Sequence, residues 1–163
     1  MKEANIVPGT DLPYVVHLSN VAMEVMIANS FTPNFNLGLA VQVALLHDNI
    51  EDTKTSFTDL KNKFGESVAY AVAALTKNKA LPDEEQMADS LRRIKEQPYE
   101  VWAVKLADRI TNLQPPPSHW DNAKKIKYQK EAQIILEALG SGNDYLAKRL
   151  DQKIIEYHNY INH

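Results

Sequence analysis

No cysteine occurs among the 163 residues. Disulfides, thiolate nucleophiles and cysteine-held zinc or iron–sulfur groups are therefore excluded. Any metal has to be held by His, Asp, Glu or backbone oxygen. Glycine is scarce, with five in all, and long stretches lack both glycine and proline, which favours helices over a turn-rich β fold. No apolar run approaches the roughly 20 residues of a membrane span, so no membrane partner is expected. A positive balance is missing as well: 18 Lys and Arg against 21 Asp and Glu leave a net charge of −3. A non-specific nucleic-acid binder would carry a basic face, so no nucleic-acid partner is expected. The opening Met1-Lys2-Glu3-Ala4-Asn5 does not read as a signal peptide, and the expected location is cytoplasmic.

What is present is ordinary globular material, 44% apolar and 24% charged. A chain of this length buries roughly 70% of its unfolded surface, enough for a core without staples. The expectation is one domain over 1–163, with an irregular segment at 1–12 and a C-terminal helix within 143–163. Pro8-Gly9-Thr10-Asp11 signals a turn. From Tyr14 to about Asn29, Val15, Leu18, Val21, Ala22, Val25 and Met26 fall at helical spacing. Leu37 to Asp48 is apolar nearly all round and predicts a central, buried helix. Further helices are predicted over Thr58–Phe64 (Ser56 or Thr55 as N-cap), Glu66–Leu75, Glu84–Glu96, Tyr99–Leu113, Asn122–Leu139 and Tyr145 to about Tyr160. Pro98 suits the first position of one helix, and Pro115-Pro116-Pro117 ends it. Strand signals are absent. The fold class is all-α, with roughly seven or eight helices. Trp102 and Trp120 read as packing anchors, Met23, Met26 and Met87 as core filler, and His119, His158 and His163 as solvated.

Ionisable groups on apolar helices are the informative anomaly, because a buried unpaired charge is costly. In Leu45-Leu46-His47-Asp48-Asn49-Ile50-Glu51-Asp52-Thr53, three carboxylates and an imidazole fall within six residues. Asp48 with Glu51, and Asp48 with Asp52, share a helix face by spacing. Such crowding raises carboxylate pKa values unless a cation relieves it; a solvated acidic helix end is the plain alternative. Asp108 and Asn112 stand one turn apart in Val104-Lys105-Leu106-Ala107-Asp108-Arg109-Ile110-Thr111-Asn112-Leu113, where Lys105 and Asp108 also suit a simple ion pair. His17 is a third anomaly, and a lone helical histidine is more often structural than a ligand. Together His17, His47, Asp48 and Asp108 offer two imidazoles and two carboxylates from three helices. Mixed N and O donors suit Mn, Fe, Ni or Zn better than Mg or Ca, and four ligands leave positions open for hydrolytic work. Spacing alone does not join them.

The order His17, His47-Asp48, Asp108 resembles the signature of the HD-domain metal-dependent phosphohydrolases. Both longer motifs, with Gly9-Thr10-x-x-Pro13-Tyr14-x-x-His17 and Phe64-Gly65-Glu66-x-Val68, are similar to the (p)ppGpp hydrolase domain of RelA/SpoT proteins. The likeness runs from about Val7 to Leu139, and the length is that of stand-alone small alarmone hydrolases of the stringent response. The resemblance implies a single HD-domain helical bundle with one Mn²⁺ held by His17, His47, Asp48 and Asp108. It implies Glu51 and Asp52 as the groups that orient and deprotonate water, and Asn112 and Tyr128 as contacts to a small-molecule nucleotide. The implied reaction converts ppGpp or pppGpp to GDP or GTP and pyrophosphate. Phosphates need cations: Lys77, Lys79, Arg92, Arg93, Lys105 and Arg109 are candidates, although each taken singly reads first as a solvated surface residue.

The chain departs from that pattern in three ways. The family's first helix, with its Ala-His pair and basic residue, has no counterpart, and Leu18 stands where proline usually follows the histidine. The 163 residues hold no synthetase signature, so no alarmone-making activity is expected of them. Two other functions therefore stay open: an HD phosphohydrolase of another nucleotide, such as a nucleoside monophosphate or the 2′-phosphate of NADPH, and a non-catalytic metal-binding interaction module. The oligomeric state is not legible.

Overall fold

The computed structural model describes residues 6–161; the Met1–Asn5 start and His163, read above, lie outside them. Helices in chain order are α1 (Val15–Asn29), α2 (Leu37–Leu46), α3 (Asn49–Asp52), α4 (Phe57–Phe64), α5 (Glu66–Leu75), α6 (Asp83–Lys95), α7 (Tyr99–Asn112), α8 (Asn122–Leu139) and α9 (Asp144–Tyr157). Among the described residues there is no strand, only an isolated bridge between Ile6 and Pro13. The all-α expectation holds, with eight helices of useful length and one four-residue turn, α3.

Local chemistry explains the boundaries. Ser56 accepts from the Asp59 amide while Asp59 accepts from the Ser56 amide, a capping box that starts α4. Asn36, Asp121 and Asn143 cap α2, α8 and α9 in the same side-chain-to-amide manner. Gly65 turns α4 into α5 at φ 90°, where a Cβ would be strained. Pro98 stands one place earlier than expected, as the N-cap of α7. Trp102 anchors its helix as expected: the indole donates to the Gln97 carbonyl at 3.0 Å, and a Cβ on Gly142 would lie 2.9 Å from its ring.

The central helix is α7, not α2. It packs against α1, α2, α5, α6, α8 and α9. Val101, Val104, Leu106, Ala107 and Ile110 are buried, as are the charged Asp108 and Arg109. α2 packs against α1, α5 and α7 and leaves Leu45 exposed. Its all-round apolarity therefore did not place it in the middle. On α1 the core stripe is Val21, Ala22, Val25 and Ala28, with His17 in the same row. Val15, Met23 and Met26 are exposed, so the two methionines are not core filler, whereas Met87 packs against the core. No helix of the described residues is long and apolar enough to cross a membrane.

The arrangement that matters for the site is three-way. α1, α2 and α7 pack on one another in every pairwise combination. His17 near the start of α1, His47 just past α2 and Asp108 in the last turns of α7 thereby meet.

Candidate metal centre

The helix expected to run through Asp48 stops at Leu46. His47 and Asp48 form the break, and α3 restarts at Asn49, with Asp48 at φ −97° and ψ 2°. The expected single helix is thus broken, but Asp48 caps the turn that carries Glu51 and Asp52, its carbonyl accepting from the Asp52 amide at 2.9 Å, so the three carboxylates stay neighbours. The break turns the Asp48 carboxylate toward His17 and His47, and leaves Glu51 and Asp52 on the adjoining turn.

Four side chains converge. One ligand atom each from His17, His47 and Asp48 lie within 4.8 Å of one another. Asp48 Oδ2 is 3.0 Å from His47 Nε2 and 4.0 Å from His17 Nε2. Asp108 Oδ1 is 3.3 Å from His17 Nε2 and 3.6 Å from His47 Nε2. Both histidines and Asp108 are buried.

The outward nitrogens settle the tautomers. His47 Nδ1 is 2.7 Å from the Ala44 carbonyl, which only accepts, so Nδ1 carries a proton. His17 Nδ1 lies 3.3 Å from Thr111 Oγ1, whose own hydroxyl donates to the Asp108 carbonyl at 2.9 Å. That leaves Thr111 accepting from His17 Nδ1–H. Each ring then aims Nε2 at the carboxylates, with a lone pair when neutral and an N–H when protonated. Both Nε2 atoms are buried without a hydrogen-bond partner. Lone pairs and carboxylate oxygens facing one another in a buried space need a cation or a proton between them. Two imidazoles and two carboxylates are also a donor set suited to a first-row divalent ion, and a divalent metal fits the residues present.

Electrostatics around the cluster follow. Burial disfavours the His47 imidazolium, but the Asp108 and Asp48 carboxylates outweigh burial and push its pKa up to about 10. Asp108 is raised by burial, yet Lys105 and the two histidines hold it well below the usual carboxylate range. Lys105 Nζ sits 3.0 Å from Asp108 Oδ2, and Asn112 donates to Asp108 Oδ1 at 2.6 Å. Asp48 is likewise lowered, burial being overcome by His47. Tyr14 donates to Asp48, and burial with that bond pushes the phenol far up. Asp52 is raised by partial burial and by the neighbouring Asp48 and Glu51 charges.

Expected substrate residues fall in two groups. Lys77 and Lys79 are exposed beside Glu51: Lys79 Nζ is 3.6 Å from Glu51 Oε1, and the Lys77 amide is 3.5 Å from Glu51 Oε2. Lys77, Asn78 and Arg92 line a cavity of about 480 Å³ there. Asn112 and Tyr128 line a second cavity of about 210 Å³ with Trp120, Tyr157 and the proline run. Three cations read as surface residues are held by protein groups instead. Arg109 is only 7% exposed and lies over the Tyr128 ring at 4.4 Å, with Glu131 at 3.8 Å. Arg93 donates to the Ala73, Ala74 and Thr76 carbonyls at the end of α5. Lys105 is half-buried against Asp108. His119 and His158 are exposed as expected. Sequence reasoning assigned no role to Tyr14 or Thr111, although both stood inside the quoted motifs, at helical spacing from His17 and Asp108.

Comparison with known proteins agrees with this geometry. A family model described as HD domain matches residues 5–142. The chain is similar to the guanosine-3′,5′-bis(diphosphate) 3′-pyrophosphohydrolase MESH1 of Danio rerio, 32% identical over 120 residues, covering 71% of this chain and 67% of that protein. The Xenopus tropicalis MESH1 is 28% identical over 148 residues, 88% of this chain and 80% of that one. Among solved structures, a metazoan orthologue of SpoT that hydrolyses ppGpp superposes with a TM-score of 0.81 at 26% identity, covering 98% of this chain and 89% of the other.

Proposed function

The chain belongs to the HD-domain family, and on that premise we propose that it hydrolyses the 3′-pyrophosphate of ppGpp and pppGpp, as one HD hydrolase domain over 1–163 acting in the cytoplasm. His17, His47, Asp48 and Asp108 are the side chains that hold one divalent ion, Mn²⁺ by preference. The observation that carries this reading is the pair of buried, unpartnered Nε2 atoms aimed at two carboxylates. When bound, a divalent ion supplies a Lewis acid that lowers the pKa of water and polarises a phosphoryl oxygen.

Every other part is done by this chain's own groups. Glu51 and Asp52 stand on the turn after Asp48, and they orient a water and accept its proton. Asp52, its pKa raised by partial burial and by the Asp48 and Glu51 charges, accepts a proton more readily than an ordinary aspartate. The water oxygen adds to the phosphorus attached to ribose O3′, and the P–O3′ bond breaks. O3′ leaves with a proton, giving GDP or GTP and pyrophosphate.

Asn112 and Tyr128 contact the nucleotide from the 210 Å³ cavity, Asn112 already being oriented by its bond to Asp108. Lys77 and Lys79 meet phosphate oxygens as exposed point charges beside Glu51. Lys105 and Arg109, buried against Asp108 and Tyr128, act on the substrate by holding those residues.

Incubation with ppGpp and Mn²⁺, followed by anion exchange, tests the proposal. Equimolar GDP and pyrophosphate are expected. Orthophosphate from another nucleotide, with ppGpp untouched, would replace this reading by the general phosphohydrolase. No turnover of any nucleotide, with metal bound, would leave the non-catalytic module.

A further inference from the structure

Resting on the metal-site reading above, we propose that Tyr14 is a positioning residue that holds the Asp48 carboxylate in the ligand cluster before any ion arrives. Its phenolic O–H donates to Asp48 Oδ2. That same oxygen is the one 3.0 Å from His47 Nε2 and 4.0 Å from His17 Nε2.

Asp48 needs such a partner more than the other three. Its backbone belongs to neither α2 nor α3, so no helical packing row fixes its rotamer. Its side chain is 26% exposed, against 10% for Asp108 and 3–4% for the histidines. The others have supports of their own: Thr111 for His17, the Ala44 carbonyl for His47, Lys105 and Asn112 for Asp108. Among the described residues, Tyr14 is the one side chain outside the proposed ligand set that hydrogen-bonds the Asp48 carboxylate. Without it, repulsion between Asp48 and Asp108 favours a swing of Asp48 toward water.

Tyr14 is itself well placed to resist that swing. It follows Pro13, which bridges to Ile6, and its carbonyl accepts from the Leu18 amide at 3.3 Å at the head of α1. The ring centroid lies 5.1 Å from that of His17. One residue thus ties the start of α1, with its ligand His17, to the α2–α3 break, with its ligand Asp48. Outer partners of this kind orient ligands and raise metal affinity by preorganisation.

The test is Tyr14→Phe, which keeps the ring and removes the donor. Titration of the full chain with Mn²⁺ alone is expected to show affinity weakened roughly 10- to 100-fold. The Mn²⁺ concentration for half-maximal turnover rises in parallel, and turnover at saturating Mn²⁺ returns to within a few-fold of wild type. A merely structural residue would not be rescued by metal. Unchanged Mn²⁺ affinity would overturn the inference, as would turnover not restored at saturation. So would a metal-free melting point lowered by more than about 4 °C, which marks a general packing role. If wild-type protein takes up no Mn²⁺, the metal-site reading itself fails, and this inference with it.

Discussion

Asp108→Asn is expected to abolish measurable Mn²⁺ binding and turnover together while the helices remain folded. Asp108 is the more enclosed of the two proposed carboxylate ligands, wedged among His17, His47, Lys105 and Asn112. The amide keeps the shape and still accepts from Asn112, but it carries no charge toward an ion. It also leaves the Lys105 ammonium, 19% exposed, without its counter-charge. Breaking one side of a buried pair costs about 3–5 kcal/mol when complete; Lys105 is partly solvated, so the stability loss should fall below that. Metal affinity should fall by more than the roughly 10- to 100-fold typical of losing an outer partner. Calorimetric titration with Mn²⁺ and circular dichroism check the two halves. Near-normal affinity in this variant would remove Asp108 from the ligand set.

Glu51→Gln is expected to do the converse. Turnover should drop by about 10²- to 10⁴-fold, the range of a lost general base, with Mn²⁺ affinity within a few-fold of wild type. Glu51 lies outside the cluster of nearest donor atoms and faces Lys77 and Lys79. Its removal takes away a proton acceptor, not a ligand. Steady-state hydrolysis of ppGpp at saturating Mn²⁺ reads this. Unchanged turnover would leave the catalytic role to Asp52, or to neither if Asp52→Asn is equally silent.

Much of this was legible from the sequence because its signals are local. Helices α5 and α8 match their expected limits residue for residue, since Gly65, Asp121 and Gly140 punctuate them. The four proposed ligands stand out because charged groups on apolar helices demand partners. What escaped was set by tertiary contacts. The stop at Leu46 has no glycine or proline to announce it; His47 and Asp48 leave the helix and meet the ends of α1 and α7. Arg109 reads like any surface cation, yet α7 is enclosed on nearly every side, and the guanidinium lies over Tyr128. Met23 and Met26 carry core-like side chains on a face of α1 that stays exposed among the described residues, which periodicity cannot reveal. The family resemblance supplied roles for Glu51, Asp52 and Asn112 that no spacing argument reached.

One measurement bears on the centre most directly: anomalous diffraction from crystals grown with Mn²⁺. The account predicts a single strong peak per chain, within coordination distance of His17 Nε2, His47 Nε2, Asp48 and Asp108 together. A peak bound elsewhere, or one touching fewer than three of these side chains, would contradict it.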